Sequence, residues 1–234
     1  DNGYVVALKS HDPRISLVER VPPDILESFS AIWMSVPHPA ADILANRYNL
    51  PLNFSFVDFK TYNDKYAQKK VLGDLTPEWK TVSSKLDIRS YRGKKSIWFL
   101  KQRYGSGGWQ VLDLAHTKES DIDRAFLRSD DWFVEQKIQG NVYSIQCLRL
   151  PRENKTIIFG FVRQLIEDGT HFVGGRILPL AEVENLVQEQ LQQIINRLDE
   201  LLKDYEGFYG IDFIVTDAKK LYVLEANVRM TAMT

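Results

Sequence analysis

The chain has 234 residues, and its 30 Lys and Arg against 31 Asp and Glu leave a net charge of −1. That balance excludes a strongly basic nucleic-acid binder and an acidic disordered tail, while 44% hydrophobic and 12% aromatic residues suffice for a buried core. With Cys147 as its one cysteine, an internal disulfide and a cysteine-built zinc site are excluded too, which points to a reducing, cytoplasmic setting.

No apolar run approaches the roughly 20 residues that cross a bilayer, and the opening Asp1–Lys9 lacks a signal-peptide pattern, so neither a membrane nor a nucleic acid is expected as partner. The chain begins without Met and ends at Thr234, soon after the strand argued below to hold the site, as a piece of a longer protein would.

Residues 1 to 60 mix short apolar runs with the proline punctuation of Val21-Pro22-Pro23-Asp24, Val36-Pro37-His38-Pro39 and Leu50-Pro51, which predicts strands and short helices joined by turns. Asn63 to Leu72 reads as a helix with Asn63 or Asp64 at its N-cap. Ser96 to Lys101 then reads as a buried strand, Gly105-Ser106-Gly107-Gly108 as a tight loop, and Trp109 to Leu112 as the strand that follows. Ser120 is placed as the cap of a short amphipathic helix running to Leu127, and Trp132 to Glu135 is another strand. Val142 to Leu150 and Thr156 to Ile166 form an antiparallel pair.

The clearest helix is Glu182 to Asp204, where Val183, Val187, Leu191, Ile194, Leu198 and Leu201 recur every three or four residues and Gly207 ends the element. Two strands close the chain, Tyr209 to Val215 and Leu221 to Leu224, joined by the hairpin-length turn Thr216 to Lys220. The class is α+β, with no repeats and at least two subdomains.

This last hairpin carries the most chemistry. Asp212 on one strand and Glu225 at the end of the next fall opposite each other in a hairpin, and Asn227, two residues on, shares the face. Three oxygen donors of this kind suit Mg²⁺, which keeps waters and shares substrate phosphates. Arg229, two residues further, can offset charge on a transferring phosphoryl group. A solvated hairpin end would show the same residue types, but the apolar neighbours Ile211, Phe213, Ile214, Val215, Tyr222, Val223 and Leu224 bury these strands.

Lys101 leaves a buried strand just before Gly105 to Gly108, so the lysine can reach phosphate oxygens while loop amides cradle them. A Walker A loop places its lysine after the glycines, so this is not one, and a plain glycine turn is the alternative. Lys65 is a second phosphate lysine or a helix-surface charge. Glu135-Gln136-Lys137-Ile138 forms a hinge able to meet a nucleobase edge, or simply a strand end before the Gly140 turn.

Taken in order, Asn63-Asp64-Lys65, Phe99-Leu100-Lys101 with Gly105-Ser106-Gly107-Gly108, Phe133 to Gly140, Gly210-Ile211-Asp212-Phe213 and Leu224 to Arg229 resemble the ATP-grasp family. The resemblance spans residues 60 to 234 and implies an α+β, ATP-grasp fold in which two α+β subdomains clasp a nucleotide. Residues 1–60 would be part of an N-terminal α/β pre-ATP-grasp domain, and residues 61–234 the ATP-grasp domain. Within the latter, 61–136 would be the nucleotide-binding subdomain and 137–234 the metal-binding one.

By that resemblance Lys65 and Lys101 contact the phosphates of ATP, Gly105, Ser106, Gly107 and Gly108 close over them, and Glu135, Gln136, Lys137 and Ile138 meet adenine. Asp212, Glu225 and Asn227 hold one or two Mg²⁺ ions, and Arg229 steadies the acyl phosphate or leaving phosphate. Arg163, on a predicted strand, and Arg176, after Gly174-Gly175, are further candidates for clamping a carboxylate or phosphate, with surface arginines as the plain reading. His38 and Arg47 are candidates for the acceptor pocket. Val142 stands where many members place a ribose-binding acid, and the segment between Lys65 and Lys101 is compact for the family.

The chemistry so implied is that of a carboxylate–amine ligase working through an acyl phosphate on small-molecule, amino-acid or peptide substrates, with a homodimer as its assembly. An ATP-grasp kinase, a non-catalytic ATP-binding module, and an α+β interaction domain without nucleotide are the other readings. Cys147, on a predicted strand, is expected to be a small buried residue rather than a nucleophile.

Overall fold

The computed structural model describes residues 39–50, 52, 55–93, 95–104, 111–129, 131–167, 171–179, 183, 185–229 and 231. The chain divides into two units after Phe56. In the first, Pro39–Tyr48 forms helix α1; proline suits its first turn, where an N–H would lack a helical partner, and Ala41 and Ala45, one turn apart, are its buried face.

Helix α2, Phe56–Tyr62, leads into the second unit and is followed by α3, Lys65–Leu72. Of the two residues expected at the α3 N-cap, Asp64 is the cap: its extended backbone lets the carboxylate accept the Tyr66 N–H at 2.9 Å. Strands β1 (Trp79–Val82), β2 (Trp98–Gln102), β3 (Val111–Asp113) and β4 (Trp132–Gln136) build a four-stranded antiparallel sheet in the order β1-β4-β2-β3.

Helix α4, Glu119–Arg128, joins one face of that sheet. Its Ile122 and Ala125 share a core with Leu100, Trp132 and Val134. Ser120 does not cap this helix, as the sequence had suggested. Lys118 occupies the cap position without a side-chain bond, which leaves Ser120 inside the first turn.

A five-stranded antiparallel sheet follows, in the order β7-β6-β5-β8-β9. Its strands are β5 (Asn141–Leu150), β6 (Lys155–Glu167), β7 (His171–Ile177), β8 (Gly207–Val215) and β9 (Leu221–Asn227). Helix α5, Asn185–Leu201, contributes Val187, Leu191, Ile194 and Leu198 to the core, as the periodicity predicts.

The end of α5 differs from that expectation. The helix stops at Leu201, so Leu202 rather than Leu201 enters the core, and Gly207 opens β8 instead of closing the helix. Strands β1 and β7 and helices α1 and α2 were not individually anticipated. Cys147 is fully buried on β5, and burial pushes its thiol up to about 12, far from a reactive thiolate.

Gly140, at the turn into β5, admits no side chain, because a Cβ there would meet the Val215 carbonyl oxygen at 2.4 Å. That close approach seats the start of β5 against the end of β8 and so fixes the register that carries Ser144 opposite Asp212.

Candidate active site

Alternation along two strands decides what the small sheet presents. On β2, Leu100 faces the core shared with α4, so Lys101 faces the other way; on β4, Trp132 and Val134 face that core, so Phe133 and Glu135 share the face of Lys101. Helix α3 covers this second face, with the Tyr66 ring stacked on Trp79 at 5.5 Å and edge-on to Phe133 at 5.8 Å. The Tyr66 hydroxyl donates to the Trp132 carbonyl at 2.8 Å.

Between helix and sheet lies a buried ionic trio. The Glu135 carboxylate accepts from Lys69 on one oxygen and from Lys101 on the other. Burial works against the Glu135 charge, but the two ammonium groups hold the carboxyl below its usual range. Glu135, expected at a nucleobase edge, therefore directs its side chain inward.

The other hinge candidates are also engaged. The Gln136 N–H donates to the Glu78 carbonyl at 2.8 Å and the Lys137 N–H to the Ile97 carbonyl at 2.7 Å. The Lys137 ammonium pairs with Asp113 at 2.5 Å over the Phe99 ring, and Ile138 is half-buried just beyond β4.

On the large sheet, a bulge brings the acids together. The β8–β9 pairing runs Val215↔Leu221, Ile214↔Tyr222 and Phe213↔Val223, which without interruption would set Asp212 opposite Leu224. An irregularity between Asp212 and Phe213 passes over Leu224 and sets Asp212 opposite Glu225. Asn227 completes the row opposite Gly210.

Polar contacts fix the three side chains. Asp212 accepts from Gln164 Nε2 at 2.8 Å and from Asn227 Nδ2 at 3.0 Å, and Asn227 Nδ2 also donates to Glu225 at 3.2 Å. Arg229 donates to Asn227 Oδ1 at 3.2 Å. Burial first, and then the neighbouring Glu225 charge, push Asp212 up to about 7. Glu225 is also penalised by burial, but Lys65 and then Lys101 hold it below the usual carboxylate range.

Helix α3 joins the two groups of charges. Lys65 pairs with Glu225 at 3.2 Å. Gln68 donates to the Ala226 carbonyl at 2.7 Å and accepts the Ala226 N–H at 3.0 Å. Asn63 accepts the Val228 N–H at 3.0 Å. The three α3-side residues thus hold β9 across Glu225 to Val228. Gln68, Lys69 and Gln164 were not singled out from the sequence, although Lys65, Gln68 and Lys69 share one helix face by their spacing.

Several sequence candidates lie elsewhere. The register places Arg163 and Arg176 opposite each other on β6 and β7, on the sheet face of Tyr143 and Phe213, whereas Asp212 occupies the other face. Both are exposed, and Arg163 donates to Asn141 at 2.7 Å, so the structure does not bring them to the paired acids. Arg47 is exposed on α1 with its guanidinium over the Tyr48 ring. Gly105, Ser106, Gly107, Gly108 and His38 lie outside the described residues. Open depressions of about 420 Å³ beside Tyr91–Trp98 and about 410 Å³ beside Arg149 and Asp199 are lined by none of the candidates.

Asp212 and Glu225 offer hard oxygen donors in the arrangement that a divalent ion sharing substrate oxygens requires. Asn227 turns its nitrogen toward both acids, and an amide reversal would present its oxygen instead. Among the described residues no cluster of three His, Cys, Asp or Glu forms a metal cage. No helix among the described residues is long and apolar enough to cross a membrane.

Comparison with known proteins bears on the fold and the family. No curated protein sequence matches the chain. Among solved structures it resembles an L-amino acid ligase from Bacillus licheniformis, with a TM-score of 0.65 and 15% identity over 90% of this chain and 53% of that one. An N5-carboxyaminoimidazole ribonucleotide synthetase from Thermotoga maritima gives a TM-score of 0.62 and 18% identity over 90% and 54%. A biotin carboxylase from Campylobacter jejuni, solved as a β-γ-ATP complex, gives 0.66 and 16% over 88% and 50%. The chain thus spans about half the length of each. The family model for the ATP-grasp domain matches residues 62–233, from the end of α2 past Arg229, and on that match the chain belongs to the ATP-grasp family.

Proposed function

We propose that this chain carries the nucleotide and metal site of an ATP- and Mg²⁺-dependent carboxylate–amine ligase, joining small-molecule, amino-acid or peptide substrates through an acyl phosphate. The observation that carries the reading is the Asp212–Glu225 pair, set opposite each other by the bulge and met by Lys65 from α3.

Lys65 and Lys101 each rest on a carboxylate, and each can exchange that partner for a phosphate oxygen of ATP. Asp212 and Glu225, with the Asn227 oxygen after amide reversal, would hold Mg²⁺, which supplies charge neutralisation and alignment for the phosphates. A substrate carboxylate oxygen attacks the γ-phosphorus, the bond to the β–γ bridging oxygen breaks, and ADP leaves. The amine nitrogen then attacks the acyl carbon, phosphate departs, and the nitrogen loses a proton to solvent or phosphate.

Arg229, whose bond to the Asn227 oxygen is given up on that reversal, can then offset the charge of the transferring and departing phosphoryl group. Arg163 and Arg176 have no part in this scheme. Val142, facing Ile214 across β5 and β8, offers no acid to a ribose, so its hydroxyls must be met by other residues.

The similar solved structures are an amino acid ligase, a carboxyaminoimidazole ribonucleotide synthetase and a biotin carboxylase. They support ATP-driven activation of a carboxylate as the class. The test is ADP release by the full-length protein with ATP and Mg²⁺, against carboxylates and amines added singly and in pairs. Release that needs both a carboxylate and an amine is the expected result. Release that needs only a phosphate acceptor would make the protein a kinase, and ATP binding without release across the panel would make it a binding module.

A further inference from the structure

The Glu135 trio holds one more cation than its carboxylate requires. One ammonium group neutralises one carboxylate, yet Glu135, 1% exposed, is met by Lys69 on one oxygen and Lys101 on the other. The surplus charge is largely buried, which is costly unless a further anion offsets it.

The two lysines are not equivalent. Lys69 is 2% exposed and lies on α3, its ammonium 5.4 Å above the centre of the Phe133 ring. Lys101 is 11% exposed, near the end of β2, and its charge also acts on Glu225 of the acid pair. Burial and the Lys101 charge both depress the Lys69 pKa, while Glu135 opposes them. Lys69 is thus a fixed partner of Glu135, and Lys101 a partner that can leave.

We propose that Lys69 is a positioning residue that keeps Glu135 neutralised, so that Lys101 is free to turn from Glu135 to a nucleotide phosphate. The proposal rests on Lys101 being a phosphate lysine, as argued above. Without Lys69, each transfer of Lys101 to a phosphate would leave a buried carboxylate unpaired, and that cost would be subtracted from nucleotide affinity. Lys69 itself touches no substrate; it acts through Glu135 on Lys101.

The test is calorimetric titration of Mg²⁺-ATP into the full chain and into Lys69→Met, Lys101→Met, the double variant, and Lys69→Met/Glu135→Gln. AMP, which shares the base and ribose, is titrated alongside to separate effects on the base. Lys69→Met should weaken ATP by up to about the tenfold expected of Lys101→Met, change AMP little, and add less than about twofold once Lys101 is Met. Lys69→Met/Glu135→Gln, which removes the buried charge together with its partner, should return ATP affinity to within about threefold of the unsubstituted chain.

Should Lys69→Met fail to fold, the paired Lys69→Met/Glu135→Gln variant decides alone. Its loss of ATP affinity by tenfold or more would overturn the proposal, as would an equal effect of Lys69→Met with and without Lys101, or no effect in a folded Lys69→Met. Absence of ATP binding by the unsubstituted chain would instead remove the phosphate reading itself, and this inference with it.

Discussion

The two sheets bring opposite electrostatic problems to helix α3. The four-stranded sheet presents one carboxylate to two lysines, Glu135 against Lys69 and Lys101, in a buried setting. The five-stranded sheet presents two carboxylates, Asp212 and Glu225, with Lys65 on the second and Asn227 bonded to both. One side has two lysines on one carboxylate, and the other has two carboxylates with one lysine paired to them. An excess ammonium suits an incoming phosphate, and an excess carboxylate suits an incoming divalent ion, so the asymmetry matches a ligand that carries both.

Removing charge from the acid-rich side should have the largest effect. Glu225→Gln is expected to lower kcat by roughly 10²–10³-fold, about 3–4 kcal/mol in the transition state, with ATP affinity changed far less. Steady-state ADP release and calorimetry on the same preparation check both halves. Loss of ATP binding in parallel with kcat would make the two sides one undivided site.

Gln68→Ala cuts the connection between the sides. It leaves the Ala226 N–H and carbonyl without their partner, and is expected to cost about 2–3 kcal/mol in stability by denaturant unfolding, with both ATP affinity and kcat reduced. Unchanged stability would mean that water replaces the glutamine at no cost.

Lys101→Met tests the cation-rich side from the surface end. ATP affinity should fall about tenfold, while stability changes by less than about 1 kcal/mol because Lys69 still neutralises Glu135. A large loss of stability would show that both lysines are needed to hold the carboxylate.

The smallest effect is expected outside the contrast, at Asp64, which accepts from Arg103 Nε at 2.8 Å and Nη2 at 2.5 Å. Burial alone would raise the Asp64 pKa, but the Arg103 hydrogen bonds and the Tyr66 N–H hold it below the carboxylate range. A depressed folded pKa gives stability that is present above the unfolded value near 4 and lost as pH falls through the folded one. Arg103→Leu should therefore remove no more than about 1 kcal/mol at neutral pH, since the pair is partly exposed, and should flatten the loss of stability below about pH 4. A steeper acid loss in the variant would contradict this.

Much of the acid-rich side was legible because hairpin arithmetic is local. Thirteen residues separate Asp212 from Glu225, and a five-residue turn sets them near each other, although the bulge that aligns them has no sequence signature. The cation-rich side was half legible. Lys101 before glycines and Lys65 at a helix start follow from neighbours in sequence, but the Glu135 pairing joins residues 34 and 66 apart and appears only once α3 lies on the sheet. The Ser120 cap failed because local propensity yields to where the chain enters a helix, and Arg163 and Arg176 lie away from the paired acids because a strand's face is set by pairing register.

Strand β9 ends the large sheet, and an edge strand normally offers unpaired N–H and C=O groups on which another chain can add. Here amide side chains occupy that edge: Gln190 takes the Leu221 N–H at 2.9 Å, Gln68 both groups of Ala226, and Asn63 the Val228 N–H. The contacts that hold the acid pair in place thus also imitate a sixth strand. They occupy part of the edge that an added strand would need, so the glutamine and asparagine that hold the acid pair also leave less of β9 open to chain-to-chain pairing.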